Sequence, residues 1–158
     1  MAMSAKIVAL AVAGLVMLTG GLAEAQDSLS GAVIVIAKGS CTRFTVSGQS
    51  YSCSAIIYSH FRNGRTGWQI PIPNGALMLS GGRDSQPDPT KYILQIDMLR
   101  FGRGDGSGQN YRVEGTCTAS LSADGEYFYT LSCSAKGGAE DIQLEFKGDG
   151  SPVDRKVL

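Results

Sequence analysis

The chain reads as an all-β domain, a small antiparallel barrel or sandwich of about eight or nine strands with two disulfide-clipped hairpins. Three observations carry this reading. Beyond Gly31 the apolar residues fall in short segments, β-branched or alternating with polar residues. The 21 glycines are about twice the usual share of roughly 7%, so tight turns are frequent. The four cysteines fall into two sequence-local pairs. A barrel is favoured over a sandwich because closure protects edge strands.

The N-terminus is of another kind. Lys6 precedes an apolar run from Ile7 to Leu18, and Ala23-Glu24-Ala25 is the small-x-small signal of a secretory peptidase. The run falls short of the about 20 apolar residues of a membrane span, and no second run of that length follows. Residues 1–25 therefore read as a signal peptide cleaved near Ala25, and 26–30 as a short N-terminal segment. Residues 31–148 read as a single β domain and 149–158 as a polar C-terminal tail. The mature chain is expected in the periplasm or outside the cell, with no transmembrane segment. Its length of about 130 residues suits one domain.

In chain order, Ala32 to Ala37 is a β-branched apolar run. Thr42 to Ser47 and Tyr51 to Tyr58 form the arms of a hairpin about Gly48, and Thr66 to Ile70 and Ala76 to Ser80 flank the turn signal Asn74-Gly75. Gly81 to Pro89 reads as the longest loop. Lys91 to Phe101 is ambiguous. As a strand it places Tyr92, Leu94, Ile96 and Met98 on one face; as a helix Asp88 would cap it and Gly102 would end it. The isoleucines and the alternation favour strand. Tyr111 to Leu121, Tyr127 to Ala135 and Ile142 to Lys147 complete the set. Gly39-Ser40-Cys41-Thr42 and Gly115-Thr116-Cys117-Thr118 form a faint repeat, matched by Ser52-Cys53-Ser54-Ala55 and Ser132-Cys133-Ser134-Ala135.

An even cysteine count in an exported chain reads as disulfides. Of three connectivities, Cys41–Cys53 with Cys117–Cys133 is preferred, since each pair brackets a short segment with a glycine-containing turn. C-x-x-C spacing is absent and His60 is the sole histidine, which speaks against zinc. No metal or cofactor is expected. The 14 basic and 14 acidic residues are interspersed, with no basic track for nucleic acid.

Catalytic signals are weak. His60 has no G-x-S-x-G serine to serve. The acid pairs Asp84/Asp88 and Glu140/Asp141 fall in loops or turns, where glycosidase geometry is not implied. The glycine-rich Gly102 to Gly108 segment lacks a phosphate-binding pattern, and its Arg103-Gly104-Asp105 is too short a motif to specify adhesion. The most suggestive stretch is Phe61-Arg62-Asn63-Gly64-Arg65-Thr66-Gly67-Trp68. Arginine and tryptophan dominate recognition surfaces, so Trp68, Arg62, Arg65 and Phe61 form a candidate contact set. The alternative is that Phe61 and Trp68 fill a barrel end. Arg83 and Asp84 mark a second candidate surface.

On Gly64-Arg65-Thr66-Gly67-Trp68, Ser80-Gly81, Asp88-Pro89, Ile96-Asp97 and the unit from Gly115-Thr116-Cys117 to Cys133, the chain resembles a group of small secreted proteins of alphaproteobacteria. That resemblance implies location and domain limits and carries no activity. Ser80-Gly81 and Lys91-Tyr92 are also similar to the Ser-Gly…Tyr loop of periplasmic lysozyme inhibitors, small disulfide-bearing β-barrels that insert this loop into the lysozyme cleft. The leading expectation is a non-catalytic secreted or periplasmic binding module for a protein or glycan partner, an inhibitor or envelope-associated protein. The alternatives are an envelope-polymer hydrolase using loop carboxylates or His60, and a small-barrel carrier of an apolar ligand.

Overall fold

The structure is a computed structural model that describes residues 31–158. The signal peptide read at residues 1–25, and residues 26–30, lie outside the described residues. Eleven strands follow in order: β1 (Val33–Val46), β2 (Gln49–Ser50), β3 (Ala55–His60), β4 (Thr66–Ile72), β5 (Gly75–Gly81), β6 (Arg83–Asp88), β7 (Lys91–Arg103), β8 (Gly108–Leu121), β9 (Phe128–Gly137), β10 (Glu140–Gly148) and β11 (Asp154–Val157). Eight of them, β1, β3, β4, β5, β7, β8, β9 and β10, pair antiparallel in sequence order, and β10 returns to β1 to close a barrel. Up-and-down closure leaves no edge among these eight.

The ladder registers explain the composition. One row across five strands runs Leu94, Cys117, Cys133, Leu144, Phe44, all buried. The adjacent row runs Gln95, Thr116, Ser134, Gln143, Thr45, all polar, with Thr116 Oγ1 donating to Gln95 at 3.2 Å and Gln143 Nε2 donating to Ser134 at 2.9 Å. Because side chains alternate across a strand, the apolar rows fill the interior and the polar rows face solvent. A lipid-embedded barrel has the opposite pattern. The preferred disulfides are both present, Cys41–Cys53 and Cys117–Cys133.

Four sequence expectations are revised. The Gly81–Pro89 loop is strand: β6 continues β5 along β7 after a corner at Gly81, where a Cβ would sit 1.8 Å from the Gln95 carbonyl oxygen. All six β6 residues are exposed, so no alternation betrayed the strand. Residues 149–158 are not merely a tail, because Asp154 to Val157 pair with Ile36 to Val33. In β7, a bulge between Ile96 and Met98 advances the register, so Leu99 rather than Met98 is buried with Leu94 and Ile96. The first hairpin keeps its turn, with Ser47 (φ 50) and Gly48 (φ 84) both left-handed as a two-residue hairpin turn demands. Its return arm is only β2, after which Tyr51 to Ser54 carry no strand pairing and β3 begins at Ala55.

Asp88, Asp105 and Asp149 fold their turns alike, each carboxylate accepting from the backbone N–H and hydroxyl two residues on, at Thr90, Ser107 and Ser151. Asp124 accepts likewise from Ser122 and the Glu126 N–H. Side-chain hydrogen bonds hold these four carboxyls below the usual aspartate range. A lowered folded-state value favours the fold above the unfolded value and loses that contribution as pH falls through the folded one. Tm should therefore be flat above about pH 5 and decline below about pH 4. A Tm unchanged down to pH 2 in a thermal-unfolding series would contradict this role.

Candidate functional site

The interior is not filled throughout. At the end where β1 begins and where the β3–β4, β6–β7 and β8–β9 turns gather, a cavity of about 400 Å³ opens among the strands. The β8–β9 turn and residues 149–153 fold over this mouth, held by a bridge between Tyr127 and Pro152 and by Val153 N–H donating to Glu126 at 2.8 Å. The cavity follows from side-chain size. Tyr58 and Trp68 project inward from β3 and β4, while Ala37 on β1 and Ala119 on β8 leave room on their rows.

Its wall is aromatic. Trp68 packs 5.0 Å from Tyr58, 6.1 Å from Tyr92 and 5.5 Å from Phe128, measured between ring centroids and mostly edge to face. Trp68 is 4% exposed, and its Nε1–H is the one buried side-chain polar group among the described residues that has no hydrogen-bond partner. A buried donor left unpaired costs about 1–3 kcal/mol, and the aromatic packing around Trp68 carries that cost.

The phenols form a chain beside it. Tyr92 donates to Asp84 at 2.7 Å, Tyr58 donates to Tyr92 at 3.4 Å, and Thr66 Oγ1 lies 3.3 Å from the Tyr92 hydroxyl. Burial pushes both phenols above their ordinary value, so each is a neutral hydrogen-bonding group rather than a base. No hydrogen bond joins His60, on the mouth rim, to a serine or a carboxylate among the described residues. The carboxylates considered for hydrolysis have other partners: Asp84 takes Tyr92, Asp88 takes Thr90, Glu140 takes Ser47 and Asp141 takes Lys136. Among the described residues, no three of His, Cys, Asp and Glu converge as a metal-ligand set.

The stretch from Phe61 to Trp68 is divided by the fold. Trp68 faces the cavity from β4, while Arg62 is exposed in the β3–β4 turn and Phe61 is half-buried there, its N–H donating to the Arg65 carbonyl at 2.9 Å. Arg65 turns outward to Asp97 and Ser80. Arg83 and Asp84 are exposed on β6, Asp84 reaching back to the Tyr92 hydroxyl. The Ser-Gly…Tyr residues do not form one protruding loop: Ser80 is 2% exposed within β5, and Tyr92 is half-buried on β7. Tyr58 and Phe128 did not emerge as site residues from sequence reasoning, and Tyr92 entered only through the inhibitor-loop likeness, because an inward aromatic in a strand looks the same whether it fills a core or lines a hollow.

Comparison with protein-family models, with curated proteins and with solved structures finds no match to this chain. Two disulfides in a barrel with polar outer faces fit a periplasmic or extracellular setting, and among the described residues no helix is long and apolar enough to cross a membrane.

Proposed function

We propose that this is a non-catalytic binding protein of the periplasm or extracellular space, exported by its N-terminal segment, that holds a small, largely apolar ligand in the barrel mouth. The observation that carries this reading is the cavity in the barrel mouth, walled by Trp68, Tyr58, Tyr92 and Phe128. Its volume of about 400 Å³ falls in the range of small-molecule sites. An apolar wall with a few convergent polar groups is what such sites share. The carrier reading thus gains over a flat protein-binding patch, since Phe61, Arg62, Arg65 and Trp68 do not share a surface.

The chain contains a single Trp, so the site carries its own reporter. Titration with methyl 2-naphthoate, a neutral two-ring ester with a carbonyl acceptor, should change Trp68 fluorescence along a saturable one-site curve. A linear, non-saturating change equal to that of free tryptophan would overturn the proposal.

A further inference from the structure

The rim of the mouth carries a charge that the fold itself does not use. Across the barrel wall, Trp68 pairs with Tyr58, Tyr58 with Val35, and Val35 with Arg155 on β11. Directly paired residues point to the same face of a sheet, and all four line the cavity. Arg155 therefore extends the aromatic row towards solvent. The flanking Lys156 occupies the opposite face and pairs with Asp154 at 3.4 Å, as Lys136 pairs with Asp141 at 3.3 Å. Arg155 has no ion-pair partner among the described residues. Asp124, the acid in the cavity lining, is engaged by Ser122 and the Glu126 N–H, and Asp84, beside the lining, by Tyr92. His60 stands one row further out, paired with Val33, and adds a second nitrogen donor to the same rim.

We propose, resting on the reading of the mouth as a ligand site, that the occupant is an anionic amphiphile: an apolar or aromatic body against Trp68, Tyr58 and Phe128, with a carboxylate or sulfonate set against the Arg155 guanidinium. The planar fork of arginine matches a carboxylate with two parallel hydrogen bonds. Tyr58 and Arg155 stand two strands apart, roughly 10 Å at ordinary strand spacing. A two-ring aromatic acid spans that interval, its ring against Tyr58 and its charge at the rim.

The test compares two probes of one ring system by calorimetric titration of the whole protein at low salt and pH 7: 2-naphthoate and its neutral methyl ester. The acid should bind about tenfold tighter than the ester. Arg155→Gln should abolish that preference and leave ester affinity unchanged, Arg155→Lys should keep part of it, and Lys156→Gln on the outer face should change neither. Circular dichroism of each variant checks the fold. Equal affinity of the two probes, or a preference that survives Arg155→Gln, overturns the inference while the mouth remains a ligand site. Failure of both probes to bind overturns the mouth reading itself and the inference with it.

Discussion

Trp68→Ala should lower stability by about 3–5 kcal/mol, the cost of removing a large buried aromatic and leaving a hollow. At this chain length that corresponds to a fall in Tm of roughly 10–20 °C. An exposed contact residue would behave oppositely, losing its partner while Tm barely moved. The structure decides between the two by burial, since Trp68 is 4% exposed and packs against three aromatic rings. Trp68→Phe keeps an aromatic ring and removes the unpartnered N–H, so its loss should be much smaller. Thermal unfolding of the two variants checks this, and a Trp68→Ala protein melting within two degrees of the parent would contradict the placement.

Removing the Cys117–Cys133 bridge should be nearly as costly. The bond closes a separation of 16 residues, for which the chain-entropy model gives about 3 kcal/mol. Both sulfurs also sit in the buried row between Leu94 and Leu144, so their loss opens packing as well. Cys41–Cys53 closes 12 residues, and both its cysteines are half-buried beside a bulge in β1. The double variant Cys117→Ala/Cys133→Ala should therefore lose more stability than Cys41→Ala/Cys53→Ala in denaturant unfolding. The reverse order would contradict the assignment of the second bridge to the interior.

The fold was legible where alternation and turn chemistry were strong. Ile142, Leu144 and Phe146 announced an inward face, Ser47-Gly48 announced a hairpin, and the local cysteine spacing announced both bridges. Strands built from exposed polar residues were not legible. Arg83 to Asp88 and Asp154 to Val157 are held by partners, β7 and β1, that only the closed barrel supplies. The turn between β4 and β5 shows a subtler limit. Asn74-Gly75 marked it, but Pro73 and Asn74 form the tip, Asn74 at φ 64, and Gly75 already pairs with Ile72 and Arg103.

The site was half legible. Trp68 stood out by residue type, but its neighbours in sequence proved to be a turn, whereas its neighbours in space come from β3, β7 and β9. A hollow is a relation among residues on different strands. Ala37 and Ala119 produce it by what they lack, and nothing local marks an alanine as the wall of a cavity. Arg155 was hidden for a similar reason: its inward direction depends on pairing with Val35.

The most direct measurement follows the indole itself. The chain has one tryptophan, so a ¹H–¹⁵N correlation spectrum of the uniformly labelled protein contains one Trp side-chain N–H resonance. Titration with methyl 2-naphthoate should move that resonance together with the backbone amides around Ala37, Tyr58, Tyr92 and Ala119, and leave the outward Thr116 and Ser134 amides nearly in place. An indole resonance that stays fixed at saturating ligand, with shifts confined to outer-face residues, would contradict ligand binding in the barrel mouth.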